Sequence, residues 1–532
     1  MRHNARCMAA PKPTGENSGD STMNQTNPIL SSVANTPHVC GASTCHSCPR
    51  AGCGLRMNRW QFLGATAAAG SWLLGSGGPA SLMAADAGAM PPLTAPKVRI
   101  YTVYLGGAGA WPKPEFDTSA EKAKFEKFLA GLKPKFPEVE LVGGDLVMNA
   151  REAVSRISAR DDVAGVLCIH LGIRGDLAGI VNCGKPVVVF SQPYSGHQWM
   201  HVSQAQREGK RVALIASRDW RDLATAIALL KAVGQMRQSK ILLASAKAGP
   251  RAKDIRERFG PEVVEVATEQ LIVAHKAVDE TLATRIARDL FIKPAKKIVE
   301  PSRAEIVKSA RMYLAMKQLM AEQGAQAIAV NCLGGIPIQI LGYPCLGFAQ
   351  LNDEGFVGAC EADLDSTLTM LLFTYAFGKP GFITDPLFDI SKNAVIHAHC
   401  VAATRMSGPG TPRAPFSIRT HRDDNRGASL EVDMRVGQEI TCAKFIDDEA
   451  MLFSTGRIIE GKPRQFDDRG CRTQITVAVH GDAQKMMDNW SADMKKYRDI
   501  RTLLHRVVFY GDHSRPVHHL ASLMGFKVIP EC

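Results

Sequence analysis

The residues of this chain best suited to chemistry lie between positions 344 and 406, where Glu361, Asp385 and His399 stand at the edges of apolar runs, beside small or turn-forming residues. Two carboxylates and an imidazole so placed can converge on one hard divalent cation, Mn2+ or Mg2+ rather than a thiolate-loving metal. Such a centre performs metal-assisted proton transfer. Each residue also has a plainer use. Glu361 and Asp363 precede an apolar helix expected over 368–377, where a carboxylate complements the helix dipole or caps the first turn. Asp385 precedes Pro386, as turn residues do. His397 and His399 alternate along a strand and share one face, where a hydrogen-bonded core histidine is as natural as a ligand.

The order of these residues carries more. The turn Asn352-Asp353-Glu354-Gly355 leads to the triplet Glu361-Ala362-Asp363, the apolar run Phe382-Ile383-Thr384 ends at Asp385, and Ala398-His399 follows. This series resembles the metal-binding core of the L-fucose isomerase and L-arabinose isomerase superfamily, and the resemblance extends more weakly over residues 97–532. It implies that Glu361 and Asp385 hold Mn2+ or Mg2+ and shuttle a proton between C1 and C2 of an open-chain sugar through a cis-enediol. It places His399 in the metal shell and Asp363 behind it, as cap or as orienting acceptor. A late histidine that starts a strand ending in a glycine turn completes the family's shell. His505 in Leu504-His505-Arg506-Val507-Val508-Phe509-Tyr510-Gly511 fits that description, with His513 as its rival. His518 and His519, on a closing helix, read as surface or packing residues. The resemblance further implies a homo-oligomer, trimer or hexamer, in which the first α/β domain of one subunit closes its neighbour's site. It does not identify the sugar. A divergent relative acting on another sugar, or a non-catalytic exported carbohydrate-binding protein of paired α/β lobes, remain the alternatives.

Composition bounds the other classes. The 532 residues suffice for two or three domains, and 45% hydrophobic with 6% aromatic content reads as α/β globular. The formal charge is +12, yet the basic residues are spread singly without interleaved aromatics, so a solvated basic surface is expected and no nucleic-acid partner. No apolar run reaches membrane-spanning length.

Residues 57–96 read as a signal peptide and linker. Arg56 and Arg59 precede an apolar run over 62–74, and small-residue sites follow near Ala85 and Ala87, so export to a periplasmic or extracellular address is expected, with a cytoplasmic location as the alternative. Asn58 to Leu63 resembles a twin-arginine signal with Trp60 in place of the second arginine. Residues 1–56 are polar and read as a disordered extension carrying Cys7, Cys40, Cys45, Cys48 and Cys53. The other nine of the 14 cysteines fall mostly in apolar runs, as small buried hydrophobes do.

To position the candidate site, the chain offers short apolar strands alternating with helices, the pattern of parallel sheets. The expected fold is α/β, with two Rossmann-like parallel-sheet domains, 97–203 and 204–388, the second carrying the metal carboxylates. A β-rich, barrel-like domain over 389–532 follows, its strands separated by Gly, Asp and Arg turns.

Overall fold

The computed structural model describes residues 92–107, 113, 115–446, 449–461, 469–493 and 504–532. The amino-terminal extension and nearly all of the expected signal segment lie outside these residues. The first sheet contains β1 (Val98–Leu105), β2 (Val139–Val147), β3 (Val163–His170), β4 (Val187–Ser191) and β5 (Val212–Ala216). They pair in the order β2-β1-β3-β4-β5, all parallel. Every residue of β3 is buried, as befits a parallel strand covered on both faces.

The second sheet is built from β6 (Lys240–Ala244) and β7 (Glu262–Val266) with two later strands. The short β8 (Lys297–Ile298) is diverted elsewhere, and β9 (Ala327–Val330) and β10 (Val357–Ala359) complete the parallel order β10-β9-β6-β7. The helix Leu364–Phe377 follows β10 directly. Asp363 caps it by accepting from the Ser366 N–H at 2.9 Å, and it ends at Gly378 in the left-handed region, φ 61°, where a Cβ is costly. Its sides are buried almost throughout because it is wedged between the sheets and the last domain.

That last domain is a closed barrel of six antiparallel strands: β11 (Phe382–Asp389), β12 (Ala394–His399), β15 (Glu439–Ile446), β16 (Ala450–Glu460), β17 (Thr473–Val479) and β18 (Arg506–Tyr510). The ring runs β15-β18-β11-β12-β17-β16 and returns to β15, which leaves no edge among these strands. β19 (Lys527–Pro530) joins β16 in parallel from outside the ring. Between β12 and β15, β13 (Phe416–Arg419) and β14 (Ser429–Val432) form a small sheet with β8.

Two expected boundaries move. The first sheet extends past residue 203, since β5 pairs with β4, and the barrel begins before 389, since β11 is its strand. Both segments are apolar runs beside helices, and the identity of a run's pairing partner is not written in its own residues. The consequence for the site is that Asp385 belongs to the barrel, and Glu361 alone of the two carboxylates belongs to the second α/β layer. One core joins the layers: Phe190 and Leu230 of the first, Leu372 of the wedged helix, and Phe445 and Val507 of the barrel share a single apolar cluster.

Candidate active site

Three neighbouring barrel strands set the geometry. In β11 and β18 Thr384 pairs with Arg506, so His505 is next in line with Asp385; in β11 and β12 Asp385 pairs with Ala398, which sets His399 one residue further along. Glu361 reaches the same point from the carboxyl end of β10, the end of a parallel sheet where ligands usually bind. It does so from an unusual backbone. Glu361 and Ala362 lie in the left-handed region at φ 59° and 55°, which L residues with a Cβ avoid. Their amide hydrogens hold the bend, Ala362 N–H donating to Val330 O at 3.0 Å and Glu361 N–H to Cys332 Sγ at 3.4 Å.

The four side chains meet there. His399 Nε2 is 3.4 Å from Glu361 Oε1 and 3.9 Å from Asp385 Oδ2, and His505 Nε2 is 3.4 Å from Glu361 Oε2 and 3.4 Å from Asp385 Oδ1. Both imidazoles are buried, while the Asp385 side chain is 38% exposed, so the carboxylates form the mouth and the histidines the floor. The separations exceed those of good hydrogen bonds. Indeed Nε2 of His399 and of His505 are buried atoms with no hydrogen-bond partner among the described residues. Buried polar atoms are rarely left so. Donors on one small cation with ligand distances of about 2.1 Å stand about 3 Å apart in an octahedron, so the 3.4–3.9 Å separations here would contract by about 0.4–0.9 Å around it. The donor set and its unpartnered nitrogens therefore fit a hard divalent cation.

Charge points the same way. Burial alone would raise the Glu361 carboxyl, but His399 and His505 outweigh it and hold it well below the usual carboxylate range. Burial would lower both imidazoles. Asp363 and Glu361 instead push His505 up to about 9, and Glu361 and Asp385 raise His399. The pocket demands positive charge, as protons on the rings or as a cation in their place.

Behind the floor, Asp363 Oδ2 accepts from His505 Nδ1 at 2.9 Å and from Lys444 Nζ at 2.6 Å. Burial of Asp363 is more than offset by Lys444 and His505, and its carboxyl sits far below the usual range. Asp363 is thus both helix cap and orienting acceptor, the two uses left open by the sequence. Asn352 and Asp353 end the helix Cys345–Asp353 and brace the site from further back. Asn352 bonds both backbone polar groups of Gly358, at 3.0 and 3.1 Å, and Asp353 accepts the Arg405 N–H at 2.7 Å.

Two histidines stand apart. His513 does not reach the cluster: its ring stacks on Phe377 at 4.2 Å and its Nε2 meets Tyr510 O at 3.0 Å, because the Gly511 turn, φ 106°, folds the chain back on β18. His397 is the hydrogen-bonded core residue, its Nδ1 2.8 Å from Thr384 Oγ1. Sequence reasoning missed Lys444, whose only trace is a charge inside the apolar run Cys442-Ala443 and Phe445-Ile446. It also passed over the thiol of Cys360, which shares a possible ligand group with Glu361 and His399.

Comparison with known proteins adds an independent line. No family model matches the chain. It is similar to the sulfoquinovose isomerase of Clostridium sp. (strain MSTE9), 26% identical over 185 residues, 34% of this chain and 40% of that protein. With the sulfoquinovose isomerase of Alkalicoccus urumqiensis it shares 23% identity over 254 residues, 45% and 48% of the two chains. That of Priestia aryabhattai is 24% identical over 136 residues, 25% and 30%. The chain thus spans less than half the length of these curated relatives. They belong to the fucose/arabinose isomerase-like superfamily, and the similarity supports the motif resemblance at that level alone.

Proposed function

We propose that this chain is a metal-dependent aldose-ketose isomerase working through a cis-enediol, with Mn2+ or Mg2+ held by Glu361, Asp385, His399 and His505. The observation that carries the reading is the convergence of two carboxylates on two buried imidazole nitrogens that have no other partner among the described residues. A cation bound there would polarise a sugar carbonyl and acidify the neighbouring C–H. Glu361 and Asp385 flank that position from opposite protein layers, so one takes the proton from carbon while the other serves the hydroxyl protons. His399 and His505 close the floor against water. Asp363 keeps the His505 proton on Nδ1 and its Nε2 lone pair directed inward.

The names of the relatives make sulfoquinovose the first substrate to test. The amino-terminal pattern of Arg59, the apolar run over 62–74 and Ala85 to Ala87 supports action after export. The deciding experiment incubates the purified protein with Mn2+ and a panel of aldoses and ketoses that includes sulfoquinovose, and follows interconversion by NMR. Conversion of an aldose to its 2-ketose, abolished by chelation and restored by Mn2+, is the expected result. Saturable sugar binding with metal present and no conversion would favour the binding-protein alternative.

A further inference from the structure

A cavity of about 310 Å³ opens at the amino ends of β5, β6 and β7. Arg211 directly precedes β5, Arg237 stands three residues before β6, and Gly260 two residues before β7. Glu361 follows the carboxyl end of β10 in the same sheet as β6, so the length of a five-residue strand, about 16 Å, separates the two places. Four arginines line the cavity, Arg211, Arg237, Arg256 and Arg258, against one carboxylate, Glu257, which faces Lys253 at 3.8 Å. Among the described residues, none of Arg211, Arg237 and Arg256 is paired with a carboxylate. Burial, with Arg211 beside it, holds the Arg237 guanidinium below the ordinary arginine value.

The last turns of helices favour basic residues, which accounts for Arg237 in the helix Asp222–Gln238 and for Arg256 and Arg258 in Arg251–Arg258. It does not account for Arg211, which comes from a loop, or for the convergence of the four. That convergence is built into the backbone. Gly260 packs so closely on the first of these helices that a Cβ there would stand 2.6 Å from Arg237 Cα. Arg256 Nη1 donates to Gly260 O at 2.5 Å and to Arg237 O at 3.4 Å, and Arg258 Nη2 donates to Gly525 O at 2.7 Å, just past the helix Ser514–Met524.

We propose that this cavity binds an oligophosphate, either free pyrophosphate or the diphosphate of a nucleotide, at a place distinct from the isomerase centre and independent of that reading. Planar guanidinium forks match phosphate oxygens in pairs. A diphosphate concentrates several negative charges over a short span and so answers three unneutralised guanidiniums, whereas a monoanion answers one. The volume lies at the small end of the range for ligand cavities, about 300–1,000 Å³, so a nucleoside attached to the diphosphate would extend outward. Because the walls come from the first sheet, the second sheet and the last long helix, the bound anion would bridge all three and stabilise the folded chain.

The test uses the full chain, freed of divalent metal with EDTA so that pyrophosphate meets no cation to chelate. Isothermal titration with pyrophosphate, ADP, AMP and sulfate is run at fixed ionic strength. Pyrophosphate or ADP should bind saturably at one site and raise the thermal unfolding midpoint, with AMP and sulfate much weaker. Arg211→Gln, whose side chain makes no hydrogen bond among the described residues, should fold as the parent does and lower the affinity by about 10–100-fold. Arg211→Lys, which keeps the charge and loses the fork, should fall between them. Arg303→Gln, an exposed arginine at the start of the helix Arg303–Gln323, should bind as the parent does. ADP tighter than pyrophosphate assigns the site to a nucleotide, and the reverse order assigns it to the free anion. No saturable binding of either, sulfate as tight as pyrophosphate, or an equal loss in Arg211→Gln and Arg303→Gln overturns the site.

Discussion

Asp363 Oδ2 lies 2.9 Å from His505 Nδ1 and 2.6 Å from the ammonium of Lys444, a lysine with 0% exposed side chain. The contact assigns the ring proton to Nδ1 and turns Nε2 toward Glu361 and Asp385. A barrel strand thus reaches into the α/β layer to fix a histidine of the barrel's own floor. Asp363→Asn keeps the side chain's shape and its cap on Ser366 but loses the charge. Isothermal titration should show Mn2+ affinity lowered by about 10–100-fold with the fold intact. Lys444→Met leaves Asp363 without its ammonium partner and should cost about 3–5 kcal/mol in denaturant unfolding. Equal Mn2+ affinity in Asp363→Asn and the parent would remove the orienting role.

Glu361→Gln and Asp385→Asn test the two carboxylates. Each substitution keeps volume and removes a negative charge that both attracts the cation and accepts a proton, so bound manganese and turnover should fall together. The loss in turnover should be about 10²–10⁴-fold, the usual contribution of a positioned acid or base. Metal content by mass spectrometry is measured beside activity on the sugar that the panel reveals. Full manganese occupancy in both variants would remove the site from this position.

Much of this centre is legible in the sequence because its residues announce themselves locally. Glu361 follows a short apolar strand, Asp385 follows the apolar run Phe382-Ile383-Thr384, His399 ends another strand, and the helix expected over 368–377 lies within Leu364–Phe377, which starts four residues earlier. Pairing is a different matter. Nothing within 212–216 says that it closes the first sheet, and nothing within 382–389 says that it opens a barrel, because strand partners are chosen by contacts far along the chain. The choice between His505 and His513 was hidden for the same reason. Both flank β18, and only the register with β11 brings one of them beside Asp385. Lys444 gives its function away only after folding, when the charge it meets becomes visible.

His170 supplies a pH test away from the site. It ends β3, with Nδ1 2.7 Å from Gln198 Nε2, and burial pushes it down to about 4 from an ordinary 6.5. A folded value below the unfolded one means that the unfolded chain binds the proton first. Stability from a neutral His170 is therefore full above pH 6.5 and is lost as pH falls through 6.5 toward 4. The loss levels off on the order of 3 kcal/mol once pH is below about 4, where the folded ring is protonated too. Urea midpoints of His170→Gln against the parent should converge across that window, and parallel curves would contradict the assignment.

Large apolar side chains remain exposed beyond the carboxyl ends of the first sheet. Tyr194 is 72% exposed, Trp199 60% and Met200 47%, with Ile173 at 51% and Met148 at 58%. Aromatic residues and methionine are enriched where proteins meet. A homo-oligomer is the expectation, and Trp199→Glu with Met200→Glu should shift it to a smaller species in light scattering. A parent protein that is monomeric at working concentration would count against it.

The last prediction separates the two late histidines. His505 contributes a nitrogen to the cluster, whereas His513 stacks on Phe377 and meets Tyr510 O. His505→Ala should abolish measurable Mn2+ binding and leave Glu361 and Asp385 repelling each other without the imidazole between them. His513→Ala should instead lose one hydrogen bond and one stacked ring, about 1–3 kcal/mol of stability, with metal affinity nearly unchanged. The comparison therefore needs two readouts for each variant, a metal titration and a thermal unfolding curve. Metal binding moves in one variant and stability chiefly in the other. A severe loss of metal in His513→Ala with none in His505→Ala would exchange their roles, and would require β18 to pair with β11 in a register other than Thr384 with Arg506.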